Sequence, residues 1–403
     1  MASNPFHVAL GVLCLVGLSL FSCQAVSAQE TLAPPTEREA WLVTYGPGEI
    51  YWQRFGHNAI WLREPGGLDH TFNFGFFDFE QESFLLRFVQ GRMRYFAAAV
   101  PADQEIDFYA GEGRSVRAQR LDLPPESYDA LREYLVRHVQ PENREYLYHY
   151  YRDNCSTRLR DALDLALGGD FAETFQARPA DQNLRAHTRR STEPDRAYYL
   201  GLVAALGLPI DRDVSRWDEM FLPAVLAESV TDYRVNRGGE FLPLVLEDRL
   251  LVPGQVTLPP DTPGRTWPIY GMLGLALVAV VAMLGRSRRP AAVAGFVYGF
   301  LLIAGTLGLG LAAAWAFTDH HDAFPNFNLL LLNPLGLLAL APALRRHAGW
   351  LLVAGVGAAA VAALWPQGQY LADTLALLAP INLALAAWLL RSTPAAPGSS
   401  AER

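Results

Sequence analysis

Five apolar stretches fill the C-terminal part of this chain, and they constrain its fold more than any other feature. They cover residues 267–285, 291–317, 327–344, 348–365 and 372–390. A helix needs about 20 apolar residues to cross the hydrocarbon core of a bilayer, and these stretches approach or exceed that length. The sequence therefore predicts an all-α transmembrane domain of five helices over residues 267–391.

The charged residues are concentrated in a different part of the chain. Only 18% of all residues are charged, and most of these lie before residue 250. We therefore predict a water-soluble domain over residues 30–249, followed by a Pro- and Gly-rich linker over 250–266. The polar residues 392–403 are predicted to be a disordered tail. The net charge of -8 gives no reason to expect a nucleic-acid partner, which would require a basic surface.

Residues 1–28 have the pattern of a secretory signal peptide. An apolar run over residues 8–21 is followed by a Val-Ser-Ala sequence of the kind that signal peptidases cleave. Because no Lys or Arg precedes the run, an uncleaved membrane anchor is the alternative. Two of the three cysteines, Cys14 and Cys23, lie in this segment. Its removal would leave Cys155 as the only thiol, with no partner for an internal disulfide.

Positive charges orient the predicted helices. Arginines follow the first, third and fifth apolar stretches, at Arg286, Arg288, Arg289, Arg345, Arg346 and Arg391. The two loops on the opposite side carry neither Lys nor Arg. By the positive-inside rule, the arginine-bearing side faces the cytoplasm. This predicts a multi-pass membrane protein, with its soluble domain on the extracytoplasmic side and its C-terminus in the cytoplasm.

The soluble domain combines patterns of both strands and helices. Alternating or short apolar runs predict strands over residues 40–45, 57–62 and 70–76. Helical spacing, with capping residues at the ends, predicts helices over residues 124–139, 153–167 and 194–206. The strands and helices do not alternate strictly, which favours an α+β fold.

Cys155 is predicted to lie in the first turn of a helix. Backbone N–H groups without intrahelical partners and the positive end of the helix dipole meet there. Both favour a thiolate over a thiol, and a thiolate is what a sulfur nucleophile requires. The same N–H groups can stabilise an oxyanion. The alternative is a buried, inert cysteine, which is a common environment for free thiols.

His57 is the candidate base. It begins a predicted strand, where a histidine can equally have a structural role. A hairpin turn at Gly66-Gly67 brings Asn73 onto the same face of the hairpin, because side chains alternate along a strand. An amide there would orient the imidazole, the third role in a nucleophile–base–orienter set. His70 and Asp78 are rival candidates for that role.

Several sequence motifs resemble those of one bacterial family. The motifs GEIYWQRFGHNAIWL, NFGFFDF and YHYYRDNCSTRLRDAL are similar to those of the Lnb-type periplasmic domain. RWDEMFLPAVL and HHDAFPNFNLLLLNPL, the second in the membrane part, resemble the same family. The resemblance covers nearly the whole chain after the signal. It implies a circularly permuted papain-like fold for the soluble domain, with His57 and Cys155 as the catalytic pair.

The resemblance also implies an activity. Members of this family are expected to be N-acyltransferases of bacterial lipoproteins, without a cofactor. An acyl chain would pass from a membrane phospholipid to Cys155 as a thioester. It would then pass to the free amine of a lipid-modified cysteine at the N-terminus of a lipoprotein. Ping-pong kinetics are typical of such a covalent route.

Other polar residues are weaker candidates for substrate contact. Arg92 and Arg94 could bind a lipid phosphate, although a solvated basic edge also explains them. Asn326 and Asn328 could shape a lipid entry groove, although amides at the end of a span commonly cap helices or join them. Residues 319–322 (Asp-His-His-Asp) are adjacent polar residues in a short loop, which is poor support for a metal site, and no metal is predicted.

Two other classes of function fit the same residues. A membrane-anchored cysteine peptidase or amidase acting on peptidoglycan would use the same Cys155 and His57, with water as the acceptor. A non-catalytic membrane scaffold would have a structural Cys155 and would tolerate its replacement by serine. The sequence alone excludes neither.

Overall fold

The structure is a computed structural model that describes residues 32–286 and 289–391. The predicted signal peptide and the predicted C-terminal tail lie outside these residues. The strands are β1 (Glu39–Tyr45), β2 (His57–Arg63), β3 (Asp69–Phe76), β4 (Arg94–Pro101), β5 (Val116–Leu121), β6 (Glu145–Leu147), β7 (Arg234–Arg237), β8 (Glu240–Pro243) and β9 (Val245–Val252). A seven-stranded antiparallel sheet has the order β6-β4-β3-β2-β1-β5-β9, and β7 and β8 form a separate hairpin.

Helices accompany this sheet and then continue into the apolar part of the chain. The soluble domain contains α1 (Phe84–Gln90), α2 (Ala102–Gly111), α3 (Pro125–His138), α4 (Cys155–Ala166), α5 (Asp170–Gln176), α6 (Leu184–Thr192), α7 (Arg196–Ala205), α8 (Arg216–Glu219) and α9 (Pro223–Asp232). The apolar part contains α10 (Trp267–Arg286), α11 (Pro290–Phe317), α12 (Arg345–Leu364) and α13 (Ala372–Arg391).

Both faces of the central sheet are buried. Leu42 of β1 belongs to a core that includes buried residues of α3 and α4, whereas Trp41 and Val43 belong to a second core beneath α2. Because successive side chains of a strand point to opposite faces, a strand buried on both sides has a continuous apolar sequence. This explains the Ala-Trp-Leu-Val run in β1, and it makes the domain three layers thick.

The predicted elements of the soluble domain are present, which confirms a mixed α/β domain. The strand predictions correspond to β1, β2 and β3, and the helix predictions correspond to α3, α4 and α7. In the β2–β3 hairpin, Ala59 pairs with Asn73. His57 is two residues before Ala59, so His57 and Asn73 lie on the same face, as the hairpin argument predicted.

The soluble domain extends three residues beyond its predicted end at residue 249. Strand β9 extends to Val252 and pairs with β5 in the main sheet, so residues 250–252 belong to the domain. The following segment packs against the domain as well. The Gln255 N–H donates to the Gly113 carbonyl at 2.8 Å, and Arg189 donates to the Gly264 carbonyl at 3.0 Å. The Pro and Gly residues indicate a linker, but they do not show that its backbone is hydrogen-bonded to the soluble domain.

The prediction of five long membrane helices is not confirmed for the third stretch. Among the described residues, four helices are long and apolar enough to cross a membrane, and they correspond to α10, α11, α12 and α13. The third stretch instead forms short 3-10 segments at Phe327–Leu330, Pro334–Leu340 and Pro342–Leu344. Prolines interrupt the α-helical hydrogen bonds there, and the side chain of Asn333 accepts a bond from the Leu335 N–H.

Close packing explains how this irregular segment is accommodated. Glycines of the flanking helices touch it: a Cβ on Gly308 would lie 1.9 Å from the Leu332 carbonyl oxygen, and one on Gly355 would lie 2.3 Å from that of Leu330. Asn382 of α13 donates to the Leu331 carbonyl at 2.8 Å. Backbone that is not α-helical is tolerated at membrane depth only where protein satisfies its polar groups.

Buried amides join the membrane part to the soluble domain. The side-chain amide of Asn326 donates to the Ala204 and Ala205 carbonyls at 2.9 and 3.0 Å. That of Asn328 donates to the Val203 and Ala204 carbonyls at 3.0 and 3.1 Å. These carbonyls end helix α7, where intrahelical donors are missing. The two asparagines are 4% and 0% exposed, so the structure favours the capping interpretation of these residues over the lipid groove.

We expect Asn328→Ala to destabilise the protein. The change removes the side-chain donor of the Val203 carbonyl in a buried place, which costs about 1–3 kcal/mol, whereas the Ala204 carbonyl keeps the bond from Asn326. The thermal unfolding temperature in detergent should fall by several degrees. Asn143→Ala is the matched control, because Asn143 is exposed and bonds one carbonyl near the end of α3. Equal unfolding temperatures for the two variants would contradict the proposed capping role.

Candidate active site

The backbone before helix α4 holds Cys155 through the side chain of Asn154. Its Oδ1 accepts from the N–H groups of Ser156 and Thr157 at 3.0 and 2.9 Å. Its Nδ2 donates to the carbonyls of Tyr150 and Phe221, both at 2.9 Å. The hydroxyl of Thr157 accepts from the Asn154 N–H at 2.8 Å, which completes a capping box. Cys155 therefore begins the helix in a fixed position.

A bend in β3 brings that strand against the cysteine. The register with β4 shifts between Asn73 and Phe76. Gly75, inside this irregularity, has a φ of +102°, a conformation that side-chain-bearing residues rarely adopt. A Cβ there would lie 3.4 Å from the Cβ of Cys155. Glycine thus serves both the bend and the close approach to Cys155.

Three backbone N–H groups converge on the sulfur of Cys155. They belong to Asn58, Cys155 and Ser156, and each lowers the pKa of the thiol. Burial opposes them and is the larger effect, so the pKa of Cys155 is raised to about 11. The preference for a thiolate that helix position alone predicted is therefore outweighed by desolvation. At neutral pH the resting site holds a thiol.

His57 is neutral as well. Burial lowers the pKa of its imidazole to about 4, and the bond to Asn73 only partly offsets this. His57 Nε2 lies 2.9 Å from Asn73 Oδ1. A carbonyl oxygen can only accept, so Nε2 carries the proton and Nδ1 is left as the acceptor of the neutral ring. The Asn58 N–H that contacts the sulfur belongs to the next residue, which brings the base and the thiol into one site.

A buried carboxylate orients Asn73. Asn73 Nδ2 donates to Glu105 Oε2 at 3.1 Å, which fixes which end of the amide faces His57. The hydroxyl of Tyr45 donates to the same oxygen at 2.9 Å. Burial raises the pKa of Glu105, and bonds from Thr71, Asn73 and Tyr45 offset part of that rise. No motif in the sequence points to Glu105, although it shares a helical face of α2 with the buried Ala102, Ile106 and Tyr109.

A buried cation completes the surroundings of the site. The guanidinium of Arg114 lies 4.4 Å from the centre of the Tyr109 ring, which stacks on Tyr45 at 3.8 Å. Arg114 Nε donates to the Gly46 carbonyl at 2.7 Å. Its charge lowers the pKa values of both Cys155 and His57. No motif singled Arg114 out, because its role depends on contacts between distant parts of the chain.

The rival orienters lie elsewhere. His70 pairs with Leu62, at the end of the hairpin away from His57. Asp78 follows β3, and its Oδ1 accepts from the Glu80 N–H at 2.8 Å. Of the three candidates, the structure therefore brings Asn73 alone into hydrogen-bonding contact with the His57 ring.

The two candidate phosphate ligands are both exposed and both ion-paired. Arg92 Nε lies 2.6 Å from Asp319 Oδ2, between the soluble domain and the end of α11. Arg94 Nη1 lies 3.4 Å from Glu145 Oε2, and Arg94 lines a polar pocket beside Tyr95. Exposed pairs of this kind are weak and can be exchanged for another anion at little cost.

The polar loop after α11 makes interdomain contacts. Asp322 is 3% exposed on its side chain and pairs with Arg152 at 3.0 Å and with His149 at 3.5 Å. Both partners lie just before Cys155 in the chain. Within residues 32–286 and 289–391, no group of three or more His, Cys, Asp or Glu side chains is placed to hold a metal ion.

The arrangement is suited to nucleophilic acyl chemistry. It combines a thiol, a neutral imidazole with a free acceptor nitrogen, an orienting amide and convergent backbone donors for an oxyanion. Because thiol and imidazole are both neutral at rest, the sulfur must lose its proton before or during an attack on a carbonyl.

The neutral resting pair predicts a particular pH dependence of thiol reactivity. Iodoacetamide reacts with thiolate, so alkylation of Cys155 should be slow near pH 7 and rise about tenfold per pH unit up to pH 9. The extent of modification of the Cys155 peptide can be followed by mass spectrometry. An unstructured cysteine peptide, with a pKa of about 8.5, is the control and should level off earlier. A rate that stays constant across neutral pH would instead indicate a stable thiolate–imidazolium pair.

The Asn154 cap should matter for reactivity as well as stability. Asn154→Ala removes bonds to two N–H groups and two carbonyls, so we expect a loss of about 1–2 kcal/mol or more of unfolding free energy. The alkylation rate of Cys155 should also change. Asn183→Ala is the matched control, because Asn183 caps α6 through the Ala186 N–H at 2.9 Å. It should destabilise the protein without altering the reactivity of Cys155.

Comparison with known families agrees with the motifs. Residues 28–190 match the model of the Lnb N-terminal periplasmic domain, and residues 263–393 match that of the Lnb transmembrane domain. No match was found among curated proteins or solved structures. The two family matches follow the order of the soluble and membrane domains and together cover most of the chain. The chain therefore belongs to the Lnb family.

Proposed function

We propose that this protein is a lipoprotein N-acyltransferase that works through a thioester on Cys155. The observation that carries the proposal is the hydrogen bond between His57 Nε2 and Asn73 Oδ1, which leaves Nδ1 free to accept the thiol proton. Membership in a family with a periplasmic domain and a membrane domain supports substrates that stay in the bilayer. The order His57 before Cys155 is consistent with a circularly permuted papain-like fold, which we also propose.

The first step transfers an acyl chain to the enzyme. His57 Nδ1 takes the proton of Cys155 as the sulfur attacks an ester carbonyl of a phospholipid. The N–H groups of Asn58 and Cys155 stabilise the resulting oxyanion. The carbon–oxygen bond of the ester breaks, and the proton on His57 passes to the leaving glycerol oxygen. A lysophospholipid leaves, and a thioester remains on Cys155.

The second step transfers the chain to the lipoprotein. The free α-amine of the lipid-modified N-terminal cysteine attacks the thioester, and His57 accepts a proton from the nitrogen. The carbon–sulfur bond breaks, an amide forms and the proton returns to Cys155. Cys155 and His57 are partly buried, which favours this outcome, since limiting the access of water slows hydrolysis of the thioester.

In this proposal the arginine-bearing end of the membrane domain faces the cytoplasm. Arg345 lies 5.3 Å over the ring of Tyr298, which contacts Trp388 near the end of α13. Arg286 and Arg391 end α10 and α13. These positive residues thus gather at the end remote from the soluble domain, in agreement with the positive-inside rule.

Mass spectrometry of a reporter lipoprotein tests the proposal. In cells without other N-acyltransferases, this protein should add one amide-linked acyl chain to the N-terminal peptide. Cys155→Ser should abolish the addition, because the thioester cannot form. The number of ester-linked chains that remain distinguishes a phospholipid donor from transfer within one lipoprotein.

The proposal is contradicted if the protein without the substitution leaves the N-terminal peptide of the reporter lipoprotein unchanged. Release of peptides from peptidoglycan would then favour a cysteine peptidase or amidase. If Cys155→Ser instead retains full activity on the lipoprotein, Cys155 is structural and the nucleophile assignment is wrong.

A further inference from the structure

Helix α1 presents an unusual apolar surface beside the site. Its sequence is Phe-Leu-Leu-Arg-Phe-Val-Gln, and none of its residues is buried. Leu85 is 75% exposed, Val89 is 61% exposed, and Leu86 and Phe88 are about half exposed. A contiguous apolar patch of this kind marks a contact surface. It therefore requires a partner that is itself apolar.

Contacts with the membrane domain hold α1 beside the end of α11. The Asp319 N–H donates to the Gln90 carbonyl at 2.8 Å, and His320 Nε2 lies 3.0 Å from the Phe88 carbonyl oxygen. Both partners follow directly after α11, which ends at the 82% exposed Phe317. The surface of α1 is therefore continuous with the lipid-facing surface of α11, at the level where the span ends.

A row of aromatic rings leads from α1 toward the cysteine. Phe84 of α1 lies 5.3 Å from Phe79, Phe79 lies 4.7 Å from Phe77, and Phe77 lies 5.2 Å from Tyr95, measured between ring centres. Tyr95 stacks on Tyr148 at 4.0 Å. Phe77 is two residues beyond Gly75, which touches Cys155. We call these rings, from Phe84 to Tyr148, the aromatic row.

A polar pocket adjoins the aromatic row. Its volume is about 270 Å³, and its lining includes Arg87, Arg94, Arg144, Asp78, Glu145 and Tyr95. Arg87 belongs to α1 and Tyr95 to the aromatic row, so polar and apolar surfaces meet there. Cations and carboxylates together suit a zwitterionic headgroup, with its phosphate on arginine and its ammonium on a carboxylate.

We propose that α1 inserts into the outer leaflet of the membrane and that the aromatic row guides one acyl chain of a zwitterionic glycerophospholipid from the leaflet to Cys155. This inference rests on the proposed acyl transfer and identifies where its donor enters. An acyl chain is the occupant because the surface is apolar and joins the exposed end of α11. The headgroup stays in the polar pocket, which leaves the ester near the sulfur.

Donors of two kinds test the role of α1. The first is long-chain phosphatidylethanolamine in vesicles, and the second is a soluble short-chain ester such as p-nitrophenyl butyrate. Acyl-enzyme formation on Cys155 is measured without lipoprotein, so that only the donor step is followed. Leu85→Glu combined with Val89→Glu should slow the vesicle reaction at least tenfold. The soluble reaction should change by less than twofold.

Phe241→Glu is the matched control. Phe241 is 68% exposed on β8. The β7–β8 hairpin contacts the chain just after β5, through a bond from Arg237 to the Asp122 carbonyl. That end of β5 pairs with the start of β1, so it lies away from Tyr45 and His57. This variant should react normally with both donors. The inference is overturned if the α1 double variant matches the control with vesicles, or if it loses both reactions equally.

A measurement of depth keeps this inference separate from the acyl transfer itself. A spin label is attached at Leu86→Cys in a chain whose Cys14, Cys23 and Cys155 are replaced by alanine. In vesicles, it should collide more with oxygen than with a water-soluble nickel chelate, and a label at Phe241→Cys should show the reverse. A water-exposed label at position 86 overturns the insertion of α1. If the label is buried in lipid but no acyl-enzyme forms with either donor, the proposed function fails and the insertion stands.

Discussion

The side chain of Asn154 makes four hydrogen bonds at the point where the polypeptide turns into helix α4, and the position of Cys155 depends on them. One end of the amide holds the first N–H groups of the helix, and the other end holds the carbonyls of Tyr150 and Phe221. The amide therefore joins the helix, the loop before it and the segment leading to α9. A buried polar network of this kind is rigid only when every member is satisfied. Ser156 strengthens it, since its hydroxyl donates to the Met220 carbonyl at 2.6 Å.

Burial decides the protonation of the site. A helix N-terminus and three N–H groups favour a thiolate, yet removing the sulfur from water raises its pKa to about 11. The same burial lowers the pKa of His57 to about 4. Both shifts favour the neutral thiol and the neutral imidazole. A thiol reacts with soluble electrophiles more slowly than a thiolate does, so the raised pKa of Cys155 protects its side chain.

The membrane half follows from the need to satisfy backbone polar groups where water is absent. The segment over residues 327–344 cannot be a regular helix, because prolines and capping asparagines divide it. It is accommodated because glycines of α11 and α12 let it approach and because Asn382 bonds one of its carbonyls. Where this segment begins, the side chains of Asn326 and Asn328 donate to the last carbonyls of α7 in the soluble domain. The irregular segment thereby couples the two domains.

The sequence by itself determined the separation into a charged and an apolar part, three strands and three helices of the soluble domain, and the placement of His57 and Asn73 on one face of a hairpin. These depend on local patterns: apolar length, the alternation of side chains and capping residues lie within a few positions of one another. Only the tertiary structure decided that Glu105 and Arg114 lie beside the site and that the third apolar stretch is not a continuous helix. Their surroundings come from elements far apart in the chain, and periodicity does not reveal which polar residue a distant helix buries. The pKa of Cys155 also depends on tertiary structure. Its position at the start of a helix predicts a lowered pKa, but packing removes the sulfur from water and raises the pKa instead.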